Sequence, residues 1–225
     1  MRIKQYGITL RRVEKRDIEL IRKVRNSQRI KDKMIYREHI TKEMQEKWFK
    51  SIEKSTDGAY YIIIQNRKKT GLIDVKQINN SEETQAGLFM FDEKYYNSFI
   101  PVLASILLIK VGLYIVKTKN EGYIKVLKSN KKAIEYNKSL GYIIIDETND
   151  FFKMKITVQS YEKATKKILK AIKTIYGKSD FEFIFEEIDF KLGLFKPYKD
   201  YVNSLDKYII RKIEKENYKR FVLDV

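Results

Sequence analysis

The segment SNKKAIEYNKSLGY at 129–142 contains the residues whose types and spacing are best suited to chemistry. On a helix, Ala133 and Asn137 are separated by four positions and Tyr136 lies one turn beyond Ala133, so these side chains point toward the same groove. A tyrosine phenol, with an ordinary pKa of about 10, can donate a proton to a leaving group when a hydrogen-bond path connects the two. Because the chain has 16 tyrosines, a tyrosine that only packs under the last strands is the alternative interpretation.

Metal and disulfide chemistry find no support in the sequence. It has no cysteine, which excludes disulfides and thiolate metal sites, and its single histidine, His39, excludes a histidine-rich metal cluster. We therefore expect a site that needs no metal. A group of lysines near the Tyr136 segment could hold phosphates electrostatically, although such a run is usually a solvated face. These are Lys125, Lys128, Lys131 and Lys132.

The elements that must position these residues follow an α+β order over residues 1–158. The apolar periodicity predicts a strand, two helices, three strands, a helix, a strand, a helix and two strands. This order indicates a mixed central β-sheet flanked by helices. Thr41 and Asn130 are predicted helix caps, and Gly141 ends the last helix. The predicted strands are 8–12, 59–65, 72–78, 84–92, 121–127 and a final pair in YIIIDE and FFKMKITV, with a turn at 79–83 and helices at 17–26, 41–52, about 100–117 and 130–141.

Residues 159–225 form a second region, predicted to be a mainly helical C-terminal extension. The segment 160–177 has apolar residues on one helical face, 181–188 alternates like a strand, and 198–217 predicts a second amphipathic helix. The role of this extension is open. It could cover a substrate-binding face, form a homodimer contact, or provide an interaction surface.

The net charge of +17 brings nucleic-acid binding into consideration. However, the basic residues are spread along the chain, with a net charge of +13 in residues 1–158 and +4 in residues 159–225. No arginine-rich cluster, zinc-finger spacing or aromatic–basic RNA signature is present. The charge favours a polyanionic small ligand, and we do not expect nucleic acid as a partner.

Membrane insertion is not expected either. The apolar run FIPVLASILLI at 99–109 is about half of the roughly 20 residues that a membrane span needs, and Lys110 ends it. The first residues, MRIKQYGITLRR, are charged throughout and lack the apolar core of a secretory signal. We expect a cytoplasmic protein.

The 129–142 segment and the element order together resemble the GNAT superfamily of N-acetyltransferases. Asn130, Ala133, Tyr136 and the pair Gly141-Tyr142 resemble the family's motif on the helix that flanks its acetyl-CoA site. The resemblance implies that Tyr136 donates a proton to the departing CoA thiolate. It also implies cofactor contacts along the central strand, at the start of the long helix and at the motif, here Phe89, Met90, Phe91, Asn97, Ser98, Phe99, Asn130 and Ala133.

The segment 25–52 resembles the first helices of GNAT enzymes that act on nucleotide-linked amino-dideoxy sugars, as in pseudaminic acid synthesis, and, more distantly, of ribosomal-protein acetyltransferases. The segments GLIDV at 71–75 and AGLFMF at 86–91 resemble the central strands of that group. In this group the helical layer forms the acceptor pocket, which implies that Arg25 grips a phosphate or sugar and that His39 binds the nucleotide or orients the amine. Met34, Tyr36 and Trp48 would be pocket walls, although a role in the core alone also explains them. For His39, a partly buried or surface histidine without a role is the alternative. Asp74 and Glu83 are carboxylates that could relay the proton of the amine.

The sequence departs from the family's glycine-rich loop, which holds the CoA pyrophosphate. Glycines let backbone N–H groups at a helix N-terminus approach phosphates closely, but Ile100 and Val102 stand where two small residues are expected. Pro101 also removes one N–H donor. The loss of one charge-assisted hydrogen bond costs roughly 1.5–3 kcal/mol, so this loop predicts weakened binding of acetyl-CoA.

The sequence therefore supports two hypotheses. The leading one is an N-acetyltransferase that moves an acetyl group from acetyl-CoA to a small-molecule amine, including a nucleotide-linked amino sugar. The alternative is a degenerate GNAT fold that serves as a non-catalytic binding or assembly module, which the altered loop and the extension would favour.

Overall fold

The computed structural model describes residues 1–34, 36–76, 85–116, 121–203 and 209–223, and it shows an α+β fold. The predicted turn at 79–83 and Glu83 lie outside these residues. The helices are α1 Ile18–Arg25, α2 Gln28–Lys31, α3 Lys42–Glu53, α4 Ile100–Lys110, α5 Lys131–Ser139, α6 Val158–Tyr176, α7 Glu187–Lys191 and α8 Lys196–Asn203. The strands are β1 Arg2–Gln5, β2 Ile8–Arg12, β3 Gly58–Gln65, β4 Lys68–Lys76, β5 Gln85–Met90, β6 Glu121–Leu127, β7 Ile143–Glu147, β8 Phe151–Thr157, β9 Phe181–Phe185, β10 Ile209–Lys215 and β11 Tyr218–Leu223.

The strands form two sheets. An eight-stranded sheet has the order β10-β11-β9-β1-β2-β3-β4-β5, and a three-stranded sheet has the order β6-β8-β7. The α+β class is confirmed, but the ladders of the described strands are all antiparallel rather than mixed. β5 and β6 lie next to each other, but no ladder joins them, so the two sheets remain separate.

Helices cover both faces of the central strands. Since side chains alternate along a strand, Tyr61 and Ile63 of β3 pack into a core that includes α4, whereas Ile62 packs into a second core with α1 and α3. All three of these side chains are at most 1% exposed. The central strands are therefore held rigidly between two helical layers.

Most predicted elements are confirmed within a few residues. The hydroxyl of Thr41 accepts a hydrogen bond from the N–H of Met44 at 3.2 Å and begins α3, as predicted. The predicted helix at 100–117 is divided into α4 and a π-helical turn at Val111–Val116. In the described part of the chain, no helix combines the length and the apolarity that crossing a membrane requires.

The extension contributes strands as well as helices. The predicted helix at 198–217 is wrong over residues 209–215, which form β10 in a hairpin with β11. The β-branched Ile209, Ile210 and Ile213 favour a strand here, and pairing with β11 supplies long-range hydrogen bonds that a helical pattern does not reveal. In turn, β9 pairs with β1, so the strands of the extension continue the main sheet.

Candidate active site

The centre of the candidate site is the gap between β5 and β6. The N–H of Phe91 donates to the carbonyl of Thr70 in β4 at 2.9 Å. Peptide groups alternate in direction along an antiparallel strand, so those of Leu88 and Met90 point away from β4 and toward the gap. Because β5 ends its sheet and β6 begins the other, this edge can accept an extended ligand that carries amide groups.

Part of this edge is already occupied by side chains. The N–H of Met90 donates to the hydroxyl of Tyr96 at 3.2 Å, and the guanidinium of Arg29 donates to the carbonyl of Met90 at 3.2 Å. Arg29 also lies 5.7 Å from the centre of the Tyr96 ring, which fixes the ring beside the strand. Leu88 is therefore the open position of the edge, and Tyr96 must move before a ligand can bind the N–H of Met90. Neither Tyr96 nor Arg29 was predicted as a site residue, and no sequence signal connects them to Met90.

The N-terminus of α4 offers fewer free backbone N–H groups than predicted from the sequence. The N–H of Ser98 donates to the carbonyl of Tyr95 at 3.2 Å, and the hydroxyl of Ser98 accepts the N–H of Ile100 at 3.2 Å. Asn97 and Phe99 are exposed, and their N–H groups have no hydrogen-bond partner among the described residues. These two amides remain available to an anion near the positive end of the helix dipole.

The residues that replace the glycine-rich loop are oriented mainly inward. Ile100 is 3% exposed and Pro101 is also buried, so their side chains pack in the core rather than over the end of the helix. Val102 is half-buried. The main effect of the departure from the family pattern is therefore the N–H donor that Pro101 lacks. Steric blocking of a ligand is the smaller effect.

The ends of α5 fix the position of Tyr136. Asn130 accepts the N–H of Ala133 at 3.2 Å through its side chain, which caps the helix as predicted. Gly141 has a φ of 101°, and a Cβ atom there would lie 2.6 Å from the carbonyl oxygen of Ser160, so only glycine fits. Asn137 donates its side-chain amide to the carbonyl of Ala133 at 2.8 Å.

The phenol of Tyr136 lies between α5 and α4. Its hydroxyl is 2.8 Å from the hydroxyl of Ser105, and its ring packs against the main core. Burial raises the pKa of Tyr136, and the hydrogen bond with Ser105 offsets only part of that rise. The phenol therefore keeps its proton at neutral pH, as a proton donor must.

The four predicted acceptor-binding residues differ in their exposure to solvent. Arg25 at the end of α1 and Met34 are half-buried beside the α1–α3 core, whereas Tyr36 and His39 are exposed. Tyr36 is 46% exposed. Arg25 and Met34 are thus partly enclosed in this layer, and Tyr36 and His39 lie at its surface.

A buried carboxylate, Asp74, lies on the same face of the sheet as this layer. It is 6% exposed, and within the described residues its Oδ2 has no hydrogen bond. The amine of Lys76 lies 3.5 Å from that oxygen. Burial raises the pKa of Asp74, against the opposing charges of Lys76 and Arg25. An aspartate in the otherwise apolar strand GLIDV is the sequence signal that distinguishes it.

The predicted lysine rim is only partly free. The amine of Lys128 lies 2.9 Å from a carboxylate oxygen of Glu147 and 5.1 Å from the centre of the Phe152 ring. Lys125, Lys131 and Lys132 are exposed. These three can attract an anion near α5, and none has a fixed geometry that would bind one alone.

Comparisons with known proteins identify solved structures with a similar fold. No protein-family model and no curated protein matches the chain. Among solved structures, apo FdhC, a nucleotide-linked sugar GNAT, superposes with a TM-score of 0.63 at 19% identity, over 76% of this chain and 97% of that one. Spermidine N-acetyltransferase from Vibrio cholerae, in complex with CoA and spermine, gives 0.58 at 18% identity, over 69% of this chain and 98% of that one.

A third similar structure is the N-acetyltransferase PseH from Campylobacter jejuni in complex with acetyl coenzyme A. Its TM-score is 0.51 at 22% identity, over 67% of this chain and 99% of that one. At these identities the likeness is one of fold. The fold predicted from the sequence is confirmed.

Proposed function

The chain has the GNAT N-acetyltransferase fold, and from this premise we propose that it transfers an acetyl group from acetyl-CoA to a small-molecule amine. The observation that carries the proposal is the unpaired edge of β5 facing β6, next to the N-terminus of α4. A strand edge binds an extended chain with amide groups, and a helix N-terminus binds phosphates. CoA contains both kinds of group, because its pantetheine arm carries amide groups and is linked to a pyrophosphate.

The residues at the site fit acetyl-CoA, with one adjustment. The peptide group of Leu88 is open to the pantetheine arm, and the free N–H groups of Asn97 and Phe99 are open to the pyrophosphate. Met90 becomes available only after Tyr96 moves aside. When bound, acetyl-CoA supplies the acetyl group as a thioester. We expect binding at micromolar concentration, weaker than an intact glycine-rich loop would give.

In the proposed reaction the nitrogen of the acceptor forms the new C–N bond while the C–S bond breaks and its electron pair stays on sulfur. Tyr136 supplies a proton from its hydroxyl to the sulfur, and the proton released from nitrogen restores the phenol. Positioning of the amine, and strand N–H groups aimed at the carbonyl oxygen, supply most of the acceleration. The products are an amide and a free thiol.

For the acceptor, we propose an amine that is linked to a nucleotide, such as an amino-sugar nucleotide. Arg25 is half-buried and has no hydrogen bond or ion pair with a described residue, although a guanidinium is suited to bidentate phosphate contacts. Fold similarity to FdhC, described as a nucleotide-linked sugar GNAT, supports the same class. Similarity to a spermidine enzyme makes polyamines the class to compare with it.

The experiment is an assay for free thiol with acetyl-CoA and a panel of nucleotide amino sugars, simple amino sugars and polyamines. Acceptor-dependent thiol release, with mass-spectrometric detection of the acetylated amine, is the expected result. Wild-type protein that binds neither CoA nor acetyl-CoA would contradict the proposed function.

We also propose that the extension contributes to a homodimer. Its outermost strand, β10, has an unpaired edge and exposes Ile210 to 58% and Ile213 to 39%, and such an edge can pair with a second copy. The molar mass by light scattering should fall from dimer to monomer on Ile213→Lys. A wild-type monomer at micromolar concentration would contradict this assembly.

A further inference from the structure

Asp74 lies in an environment that is unfavourable for a carboxylate with only a structural role. It lies on β4, next to the edge strand β5, at 6% exposure, and in the described part of the chain its Oδ2 has no hydrogen bond. Opposite it on β5 is Gly87, where an added Cβ would lie 2.8 Å from Oδ1 of Asp74. The glycine therefore leaves just enough space for the carboxylate next to the open strand.

Asp17 shows how this chain stabilises a buried carboxylate that has a structural role. Both oxygens of Asp17 accept hydrogen bonds from Arg11, at 2.9 and 2.8 Å, and the amine of Lys69 lies 2.7 Å away. Burial alone would raise the pKa of Asp17, but the bonds from Lys69, the N–H of Glu14 and Arg11 lower it below its ordinary value. Asp74 lacks such a set of donors and has only the amine of Lys76 at 3.5 Å from Oδ2. A buried carboxylate that is incompletely paired lowers the stability of the fold.

The charged and titratable groups that face Asp74 come from three elements. Arg25 approaches from α1, Tyr60 is its cross-strand neighbour on β3, and Lys76 follows it on β4. The amine of Lys76, 3.5 Å from Oδ2, and the charge of Arg25 thus act on one carboxylate, whose Oδ2 accepts no hydrogen bond from the described residues. An ammonium group would satisfy this oxygen, and an anion on the same ligand would satisfy the excess of positive charge.

We propose that Asp74 binds the ammonium group of the acceptor and takes its first proton, and that Arg25 and Lys76 select acceptors that carry an anionic group as well as the amine. This inference rests on the proposed function. The carboxylate receives one proton from the ammonium, which becomes a neutral amine with a free electron pair, and the carboxylic acid then returns that proton to solvent. A polyamine would bring additional positive charge to the two cations and is disfavoured.

Replacement of Asp74 and of Asp17 by asparagine should have opposite effects on the stability of the fold. Burial raises the pKa of Asp74, so the contribution of this carboxyl group to stability falls as the pH rises. Asp74→Asn should therefore raise the melting temperature at pH 7 by about 2–4 °C and lower kcat/KM for the acceptor at least tenfold. The matched control Asp17→Asn should lower the melting temperature.

Two further measurements separate a functional role of Asp74 from a structural one. Gly87→Ala places a methyl group against the carboxylate and should lower kcat/KM for the acceptor while CoA affinity stays within threefold of wild type. Wild type should use glucosamine 6-phosphate at least tenfold better than glucosamine or spermidine, and Arg25→Met should abolish that preference.

The outcomes distinguish this inference from the function on which it rests. Wild type that binds no CoA overturns both. Wild type that binds CoA overturns the inference alone under any of three results. These are a lower melting temperature with unchanged turnover in Asp74→Asn, equal or better use of spermidine or glucosamine, and no turnover of any of the three amines.

Discussion

The hydroxyl of Tyr136 on α5 lies 2.8 Å from the hydroxyl of Ser105 on α4. This contact joins the two helices, and it gives the half-buried phenol a hydrogen-bond partner. A half-buried, hydrogen-bonded tyrosine can serve packing alone or can store a proton for a leaving group. The two roles predict different results when the hydroxyl is removed.

Tyr136→Phe should lower kcat by about 10²–10⁴-fold, because general acid catalysis contributes about that much. The affinity for CoA should stay within a few-fold of wild type, since the ring remains. Tyr142→Phe is the matched control, because it removes another buried hydroxyl that is close in sequence. Steady-state kinetics and CoA titrations of both variants provide the measurement. Unchanged turnover in Tyr136→Phe would assign this tyrosine to the core.

Tyr96→Phe should tighten CoA binding. The hydroxyl of Tyr96 occupies the N–H of Met90, and the pantetheine arm must replace that hydrogen bond. A hydrogen bond contributes about 0.5–1.5 kcal/mol, so its removal should lower the Kd about two- to tenfold. Tyr95→Phe, one residue earlier, should leave the Kd unchanged. Weaker binding by Tyr96→Phe would show that the hydroxyl contacts the donor instead of competing with it.

Pro101→Ala should also strengthen CoA binding, because it restores an N–H at the start of α4. A hydrogen bond to a charged phosphate is worth about 1.5–3 kcal/mol, which corresponds to about ten- to a hundredfold in Kd. Val102→Ala shortens a neighbouring side chain without adding a donor and should change the Kd less. If the two variants have equal affinities, steric access rather than the missing donor limits binding.

Phe183→Ala should destabilise the whole protein by about 3–5 kcal/mol. Phe183 is fully buried in the main core, and its strand β9 pairs with β1 through Ile3. Ile175→Ala, at a side chain that is 57% exposed, should change stability by less than about 0.5 kcal/mol. Urea unfolding of the full chain measures both variants. A loss below 1 kcal/mol for Phe183→Ala would indicate that the extension folds independently of the first region.

The sequence predicted the elements whose apolar period is clear. The hairpin of β3 and β4 and the helix α6 are examples, because alternating or helical burial leaves a direct trace in residue order. The error at 209–215 has the same origin, since the spacing of Ile209, Ile210 and Ile213 fits a helix face almost as well as an edge strand. Only pairing with β11, and of β11 with β9, decides between the two.

The site was less predictable because its main features depend on contacts between distant residues. The capture of the Met90 N–H by Tyr96 and the inward packing of Ile100 follow from the path of the chain after β5. Asp74 and Glu83 were equal candidates in the sequence, and the missing hydrogen bond of Asp74 Oδ2 becomes visible only when the facing side chains are in place.

The most direct test of the central claim is calorimetric titration of the wild-type protein with CoA and acetyl-CoA at moderate salt. The open edge of β5 and the free amides before α4 predict one site per chain with a Kd in the micromolar range for both ligands. The absence of binding at millimolar concentrations of either ligand would contradict the acetyltransferase function and would favour a GNAT fold that serves as a binding module.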